Sequence, residues 1–508
     1  MTETIHLVDL ASSRLGGAVL AANDDFFAPK ENLLKPEPPV FIDGKYTDRG
    51  KWMDGWETRR RRTPGHDWAL VRLGLPGIVR TVIVDTAHFR GNYPSHCSID
   101  GCAAPADADG SALASQTAPW RVVLDRSELR GDAQNTFTID DGRRCTHLRL
   151  NIYPDGGVAR LRVFGDAVPD WRALLASGGD VDLASIAGGA HVVDCSDRFF
   201  GEPRNMLMPY PALNMGDGWE TKRRRGPGHD WTVVRLGAEG EIRRIEVDTA
   251  HFKGNYPESC SIESAAIEEG EGGVSADAAV PVASWKTVLE RTLLQPDHLH
   301  VFERELAGGA IATHVRINIF PDGGVSRVRV FGRPTADGRA HAALVQLNAM
   351  TPDEATRVFA DCCGAPAWVQ RMTAARPFRT VEDVFAASDA AFHAFTREDW
   401  LEAFRHHPRI GERRAERTQS AASQAWSAEE QSGARGDAAG AAALTDANRA
   451  YEQRFGYGFI TFATGKSLAQ ILAELGDRLT HEPPAELKIA AGELRRITRV
   501  RIEKLVGR

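Results

Sequence analysis

The sequence lacks several features that would mark whole classes of protein. Its seven cysteines are odd in number and contain no C-x-x-C pair, so neither a disulfide framework nor a structural zinc site is expected. Acidic residues outnumber basic ones by 69 to 62, which argues against a general nucleic-acid-binding surface. No run of 18 apolar residues is present to span a bilayer, and the N-terminus does not have the pattern of a signal peptide. These absences predict a reduced, cytoplasmic protein with neither nucleic-acid nor membrane partners.

The composition changes along the chain. The length of 508 residues suggests about three domains. Most of the 48 glycines and 26 prolines lie in the first two thirds, whereas alanine and charged residues dominate the last third. This change predicts two kinds of architecture in one chain.

The first two thirds contain the same motifs twice. The matching segments are 54–62 with 217–225, 64–68 with 227–231, 85–94 with 248–257, and 146–157 with 313–324. The first three pairs are 163 residues apart and the last pair is 167 apart, so four residues are inserted between Cys260 and Thr313. A period this long is not that of a solenoid and indicates two copies of a whole domain.

Each copy has the pattern of an all-β domain. Leu148, Leu150 and Ile152 alternate with polar residues, and a Pro-Asp-Gly-Gly turn follows at 154–157. Short alternating runs separated by Gly/Pro turns favour a sandwich or jelly roll. After Pro334 the pattern becomes helical. The helix starts are predicted at three Thr-x-x-acid capping boxes, which begin at Thr351, Thr380 and Thr396.

The predicted fold is therefore multidomain, with two tandem all-β jelly-roll or sandwich domains followed by an all-α helical bundle. The predicted boundaries are 1–170 for the first repeat, 171–333 for the second, 334–345 for a linker and 346–508 for the helical domain. In the last helix, Arg501 falls in the apolar stripe of Leu487 and Leu494, whereas Arg499 points away. A buried arginine requires an anionic partner, for which Glu430, another acid or a substrate carboxylate would serve.

Acids, arginines and histidines are concentrated in the repeated loops. Arginine suits bidentate recognition of a carboxylate, carboxylates can accept the paired N–H groups of a ureido group, and His or Glu can move protons. The set thus suits a small, anionic, urea-like substrate. Three alternatives remain open, namely a solvated charged loop, a buried Arg–Asp network, and a divalent metal held by His66, Asp67, Asp85 and His88.

The strings DGWETRRRR, PGHDW and VDTAHFRGNYP resemble the allantoicase family over about residues 10–333. The resemblance implies two jelly-roll repeats and hydrolysis of allantoate to (S)-ureidoglycolate and urea. We hypothesise that Glu57 or His66 donates a proton and that Asp85 and His88 activate water. The predicted substrate-binding residues of the two copies are Arg59, Arg60, Arg61, Asn92, Glu220, His229, Asp248 and His251.

A second set of motifs, HPRIGE, SAEEQ, YExxFGYGFI and TRVRIEKL, resembles the decarboxylase of 2-oxo-4-hydroxy-4-carboxy-5-ureidoimidazoline (OHCU) over about residues 340–508. By position, the resemblance implies that His407 transfers a proton, that Glu430 is its acidic partner and that no cofactor is needed. The implied substrate pocket comprises Pro408, Ser427, Ala428, Glu429, Gln431, Ile460, Thr461, Phe462, Ala463, Thr464 and Arg501.

The leading interpretation is a bifunctional enzyme of urate catabolism whose substrates are allantoate and OHCU. The two reactions are not consecutive, so a separate allantoinase must open the ring of allantoin between them. Two other interpretations are that the β domains are ligand-binding modules without catalysis, or that they form an oligomerisation scaffold. A homo-oligomer is compatible with each interpretation.

Overall fold

The computed structural model describes residues 7–105, 107–115, 119–175, 178–267, 284–407, 410, 426, 429 and 438–507. The chain divides into two compact units, Met1–Ala349 and Met350–Arg508. The first unit contains both β repeats, and the second is helical. No helix in the described ranges combines the length and apolar character needed to cross a bilayer.

The first repeat consists mainly of antiparallel strands. Its elements are β1 (Val8–Asp9), β2 (Ala18–Ala22), β3 (Tyr46–Thr47), β4 (Gly50–Lys51), β5 (Trp56–Glu57), β6 (Asp67–Asp85), β7 (His96–Cys102), α1 (Gly110–Ala114), β8 (Arg121–Glu128), β9 (Gln134–Thr138), β10 (Arg144–Tyr153), β11 (Gly157–Val158), β12 (Arg160–Ala167) and α2 (Trp171–Leu175).

The second repeat has nearly the same order of strands. Its elements are β13 (Val181–Asp182), β14 (His191–Cys195), β15 (Trp219–Glu220), β16 (Asp230–Asp248), β17 (Ser259–Ala265), β18 (Lys286–Leu293), β19 (Leu299–Phe302), β20 (Ile311–Phe320), β21 (Gly324–Val325), β22 (Arg327–Pro334) and α3 (Ala336–Ala349).

One long strand in each repeat belongs to both layers of a β sandwich. In the first repeat, the N-terminal half of β6 pairs with β2 and β10, and its C-terminal half pairs with β9 and β12. The side chains between the layers, such as Val82, Leu148 and Val163, are fully buried. β16 is shared in the same way in the second repeat. The predicted tandem β-sandwich fold is confirmed.

The end of the second repeat is helical where the sequence suggests a linker. Most of residues 334–345 lie in α3, which packs against β16. The backbone N–H of Thr335 donates to the carbonyl of Glu239 at 3.0 Å, and its hydroxyl donates to the Glu239 carboxylate at 2.6 Å. This stretch is therefore an ordered part of the first unit.

Over its described residues, the second unit is all α, as predicted. Its helices are α4 (Pro352–Cys362), α5 (Pro366–Ala374), α6 (Val381–His393), α7 (Arg397–Arg405), α8 (Ala438–Phe455), α9 (Leu468–Arg478) and α10 (Pro483–Leu505). Thr351, Thr380 and Thr396 each form the predicted capping box. Arg501 is buried in α10 and Arg499 is exposed, also as predicted.

Candidate active sites

In the first repeat, the charged loops gather around the turn at residues 153–157. The backbone N–H groups of Thr58 and Asp67 donate to carbonyls of this turn at 3.2 and 3.1 Å. The carbonyl of Asn92 accepts a hydrogen bond from the turn at 2.8 Å, and the N–H of Arg61 donates to a carboxylate of the turn at 2.9 Å. Three stretches that are distant in sequence therefore meet at this turn.

Glu57 has the environment of a proton donor. It lies on β5, and its Oε1 accepts a hydrogen bond from Asn92 Nδ2 at 2.7 Å. Burial raises the pKa of Glu57 above its usual value, although the Asn92 bond opposes this shift. A carboxyl group with a raised pKa retains its proton closer to neutral pH and can donate it. In the second repeat, Asn255 donates to Glu220 in the same way.

His66 is positioned by a polar network on the sheet. Its Nε2 lies 3.3 Å from Asn151 Oδ1, and its ring centroid lies 4.7 Å from that of Tyr153. Asn151 Nδ2 in turn donates to Ser98 Oγ at 3.1 Å and to Asp100 Oδ2 at 2.9 Å. The amide of Asn151 therefore fixes the orientation of the imidazole.

The second repeat contains the same network with two substitutions. His229 Nε2 lies 3.2 Å from Asn318 Oδ1, and Asn318 Nδ2 donates to Glu263 Oε2 at 3.0 Å. Phe320 replaces the tyrosine beside the histidine. The groups that hydrogen-bond to the asparagine are thus retained, whereas the phenolic hydroxyl of Tyr153 has no equivalent.

Asp85 and His88 follow the end of β6. Asp85 is buried and accepts hydrogen bonds from the Ala87 N–H at 2.8 Å and from Gln134 Nε2 at 3.3 Å. His88 Nε2 lies 3.2 Å from the carbonyl oxygen of Pro39. Each side chain thus bonds to other groups, and the two share no hydrogen bond in the described structure.

The backbone at His88 is strained in both repeats. His88 has φ = 69° and its counterpart His251 has φ = 72°, in the left-handed region that is unfavourable for a side chain with a Cβ. The N–H groups of His88 and His251 each donate to an aspartate, at 2.8 and 2.7 Å. Asp248, the counterpart of Asp85, bonds to the Ala250 N–H at 2.8 Å. The strained turn is thus built identically twice.

The three predicted arginines have different surroundings. Arg59 pairs with Asp24 at 2.6 Å, and Arg61 pairs with the buried Asp67 at 2.6 Å. Arg60 is exposed and forms no ion pair with any residue that the structure describes. Among the three, Arg60 is therefore the one whose guanidinium has no ion-pair partner in the described part of the chain.

Part of the charged set is structural, which was one of the open alternatives. Arg160 Nη2 pairs with Asp54 Oδ2 at 2.7 Å, and both side chains are buried. Arg327 and Asp217 form the equivalent pair at 2.9 Å. Sequence reasoning did not single out Arg160 or Arg327, although their retention in both copies after the YPDGG or FPDGG turn was a visible signal.

The metal hypothesis is not confirmed. In the described ranges, no group of three or more His, Cys, Asp or Glu side chains is arranged to hold a metal ion. Asp67 is committed to Arg61, and His66 to Asn151.

The helical unit contains a small pocket beside His407. This residue directly follows His406, which caps the C-terminus of α7. The pocket is lined by His407, Ile410, Thr461, Phe462, Ala463, Thr464 and Ile497. Desolvation, together with the positive charge of Arg501, lowers the pKa of His407 from 6.5 to about 3. The imidazole is consequently neutral at physiological pH.

Two glutamates missed by sequence reasoning hold the wall of this pocket. The Phe462 N–H donates to Glu493 Oε2 at 2.7 Å, and Thr461 Oγ1 donates to Glu474 Oε1 at 2.9 Å. Lys466 pairs with Glu474. These residues act by positioning the backbone at 461–462, so no short motif identifies them.

The other predicted pocket residues have separate outcomes. Arg501 is buried, and its Nη1 donates to the carbonyl of Asp361 at 3.4 Å. Ile460 is buried, and its carbonyl accepts a hydrogen bond from Arg478 at 2.8 Å. Glu429 is exposed and pairs with Lys504 at 2.6 Å. The remaining predicted residues, Pro408, Ser427, Ala428, Glu430 and Gln431, lie outside the described residues.

Comparison with known proteins identifies both parts of the chain. Residues 8–168 and 181–335 match the allantoicase repeat, and together they make up more than half of the chain. The chain belongs to the allantoicase family. Residues 348–503 match the OHCU decarboxylase family. Both predicted resemblances are thus confirmed, and both matched families are families of enzymes.

Relatives of the allantoicase part include bacterial and fungal proteins. A probable allantoicase from Pseudomonas paraeruginosa is 50% identical over 331 residues, which cover 65% of this chain and 96% of that protein. A probable allantoicase from Burkholderia mallei is 48% identical, with coverages of 65% and 95%. The crystal structure of allantoicase from Saccharomyces cerevisiae matches with a TM-score of 0.54 and 33% identity, and covers 64% of this chain and 93% of its own.

Proposed function

We propose that this chain catalyses two reactions of urate catabolism. Its β repeats hydrolyse allantoate to (S)-ureidoglycolate and urea, and its helical unit decarboxylates OHCU to (S)-allantoin. The observation that carries the proposal is that two enzyme-family matches coincide with two separate constellations of proton-transferring groups, around residues 153–157 and beside His407.

In allantoate hydrolysis, the carbon between the two ureido groups exchanges a C–N bond for a C–O bond. The protonated Glu57 donates to the departing ureido nitrogen, which leaves as urea, while the lone pair of the other ureido nitrogen stabilises the carbon. Water then adds to that carbon and releases a proton. Arg60 binds the substrate carboxylate because, of the three predicted arginines, it alone forms no ion pair with a described residue.

Three further groups are proposed to assist this reaction. Asp85 and His88 orient the attacking water, and His66 contacts the substrate from the sheet side. Glu220, His229, Asp248 and His251 would serve the same roles in the second repeat. The support is that Glu220, His229 and His251 have the same local hydrogen bonds as their counterparts. Asp248 keeps the bond from the backbone two residues on, but Leu299 stands where Gln134 donates to Asp85.

In OHCU decarboxylation, the bond between the ring carbon and the carboxylate breaks, CO2 departs, and the electron pair moves into the conjugated C=N group, whose nitrogen takes a proton from water. The neutral His407 accepts the proton of the adjacent hydroxyl as the carbonyl forms and returns it to one face of the neighbouring carbon. This step sets the S configuration. Arg501 holds the substrate anion near His407, and Glu430 is the proposed acidic partner.

The proposal has consequences for partners and setting. Ring opening of allantoin must be supplied by a separate allantoinase, because neither proposed site performs it. The decarboxylation needs no cofactor, since the substrate ring is its own electron acceptor. A divalent metal in the repeats stays a hypothesis that urea release with and without a chelator tests. None of the seven cysteines forms a disulfide bond, which supports a cytoplasmic setting. A homo-oligomer stays a prediction.

The experiment is a comparison of both activities in the full chain. In His407→Asn we expect decarboxylation to be lost and urea release from allantoate to be unchanged. If both activities fall while the fold is intact, two independent sites are ruled out.

His66→Ala and His229→Ala form the matched pair for the repeats. Loss of urea release in one variant assigns catalysis to that repeat, and loss in both assigns it to both. Full activity in both variants contradicts a role for these histidines.

A further inference from the structure

An arginine outside the charged loops reaches the candidate site of the first repeat. Arg126 lies on β8, and its Cζ is 4.5 Å from the centre of the Tyr153 ring. The ring of His66 lies 4.7 Å from the centre of the same tyrosine. Tyr153 therefore brings Arg126 close to a histidine of the proposed active site.

The side chain of Arg126 is exposed and has unused hydrogen-bond donors. It forms no hydrogen bond and no ion pair with any residue in the described ranges, its neighbours Asp125 and Glu128 included. A guanidinium has several N–H donors and no acceptor. The donors of Arg126 are therefore available to a ligand at this position.

The counterpart of Arg126 in the second repeat is Arg291, which has polar partners. Arg291 lies over the Phe320 ring at 4.3 Å, much as Arg126 lies over the tyrosine. Its Nε, however, donates to Ser259 Oγ at 2.7 Å, and its Nη2 pairs with Glu258 Oε2 at 2.8 Å. A ligand that approached Arg291 would have to displace this carboxylate.

Two substitutions in one segment account for the difference. The strings GNYPSHCSI of the first repeat and GNYPESCSI of the second differ at two positions only. Ser95 and His96 stand where the second repeat has Glu258 and Ser259, the two residues that hold the arginine there. The same position of the fold therefore leaves Arg126 without an ion pair in the described structure.

We propose that Arg126 binds the oxygen of a ureido group of the substrate, and that the first repeat therefore carries most of the hydrolysis. This inference rests on the hydrolysis of allantoate proposed above. A ureido group is flat, and its carbonyl oxygen accepts hydrogen bonds. The planar guanidinium of arginine only donates them, so the two groups are complementary.

Arg126 would assist the departure of urea from the side opposite to the proton donor. The segment 92–96 connects the two groups, because Asn92 donates to Glu57 at 2.7 Å and His96 pairs with the end of β8. As the C–N bond breaks, its electron pair moves to the ureido nitrogen, which Glu57 protonates, and the negative charge is shared with the ureido oxygen. A cationic donor at that oxygen stabilises the developing charge, so Arg126 should affect kcat more than KM.

The test measures urea release from allantoate by the full chain. Arg126→Gln should lower kcat/KM by about ten- to hundredfold, mainly through kcat, because a hydrogen bond from a charged group is lost. Arg291→Gln is the matched control and should retain the wild-type kcat/KM. The Tm of the first unit should be unchanged in both variants, since both side chains are exposed.

A double variant occupies Arg126 without removing it. Ser95→Glu with His96→Ser copies the second repeat and should lower kcat/KM by about two- to fivefold, as expected for competition from an exposed ion pair. Ser95→Gln with His96→Ser is its neutral match and should keep the wild-type rate. The backbone should accept these changes, because Leu129 donates its N–H to the Ser95 carbonyl at 2.9 Å and the equivalent bond in the second repeat is also 2.9 Å.

The outcomes separate this inference from the proposed function. Urea release that is unchanged in Arg126→Gln, or that falls equally in Arg126→Gln and Arg291→Gln, overturns the inference and leaves the proposed hydrolysis standing. If Arg126→Gln does not fold, equal rates in the two double variants overturn it instead. Absence of urea release from the wild-type chain refutes the hydrolysis and the inference together.

Discussion

An arginine of the first repeat is predicted to hold the second repeat in place. Arg14 Nη1 donates to Asp217 Oδ1 at 2.6 Å, its Nη2 contacts the other carboxylate oxygen, and its guanidinium lies 4.5 Å from the centre of the Tyr210 ring. In the first repeat, the counterpart of Asp217 is Asp54, whose second cation is Lys35 at 3.2 Å. A cation from the same repeat is thus replaced by one from its neighbour.

The two environments predict different costs of removing the cation. Lys35 is 46% exposed, so Lys35→Met should cost about 0–1 kcal/mol, as for a surface ion pair. Arg14 is 22% exposed, and it bonds to the buried Asp217 through both of its Nη atoms. Such a bidentate bond contributes about 1.5–3 kcal/mol to the free energy of unfolding. Stacking on Tyr210 adds about 0.5–1 kcal/mol. Arg14→Met should therefore lower the free energy of unfolding by about 2–4 kcal/mol.

This difference is measured by calorimetry of the full chain. Residual urea release after heating identifies the transition that belongs to the first unit. At about 2 °C per kcal/mol for a large unit, Arg14→Met should lower the Tm by about 4–8 °C and Lys35→Met by less than about 2 °C. Equal effects of the two substitutions, or no effect of Arg14→Met, would refute the reasoning.

The contribution of the Arg14–Asp217 pair to stability should depend on pH. Burial alone would raise the pKa of Asp217, but hydrogen bonds from Arg14, Leu213 and Arg327 lower it below its usual 3.8. A carboxyl group whose pKa is depressed by folding stabilises the protein above its unfolded pKa and loses that contribution as the pH falls through the folded value. The difference in Tm between wild type and Arg14→Met should therefore be full at pH 7 and shrink below about pH 4.

Three further predictions concern His407, His88 and Glu486. Because the pKa of His407 is lowered to about 3, kcat/KM for decarboxylation should show no inflection near pH 6.5, and a bell centred there would contradict a neutral imidazole in the free enzyme. His88→Gly should leave the Tm unchanged or raise it, since glycine accepts φ = 69° without strain, yet lower urea release; full activity would show that the imidazole has no role. Glu486→Gln removes the closer of the two carboxylates that pair with the buried Arg478 and leaves only Glu474 at 3.4 Å. It should destabilise the helical unit by about 1.5–3 kcal/mol, seen as loss of decarboxylation at a temperature where urea release persists.

The features that could be predicted from sequence are those encoded within a few residues. A capping box joins residues three apart, and strand alternation repeats every second residue, so Thr351, Thr380, Thr396 and the end of β6 at Asp85 could each be predicted. The helical stripe also predicts the burial of Arg501 because its period is local.

Features that depend on the tertiary fold could not be predicted in this way. Glu486 lies in the first turn of α10, where an acid is expected on the surface, yet it is fully buried against Arg478 of α9 and Tyr451 of α8. Likewise, Asn151 is at a position of β10 that alternation assigns to solvent, but it is buried between Ser98 and His66. Only the packing of several elements shows such partners.

The duplication itself gives information on where catalysis resides. A left-handed histidine costs about 1–3 kcal/mol, and a solvated loop would lose it readily to glycine, yet His88 and His251 both retain it. The bonds of Glu57 to Asn92 and of Glu220 to Asn255 are retained as well. The acids and histidines of the proposed hydrolysis are therefore present in both repeats, and the substitutions lie among the residues beside them. There, Tyr153 Oη shares a hydrogen bond with Ser98 Oγ at 3.0 Å, and this hydroxyl is the group that Phe320 removes. If only one repeat is catalytic, the cause is more naturally sought in such neighbouring groups than in the acids and histidines common to both.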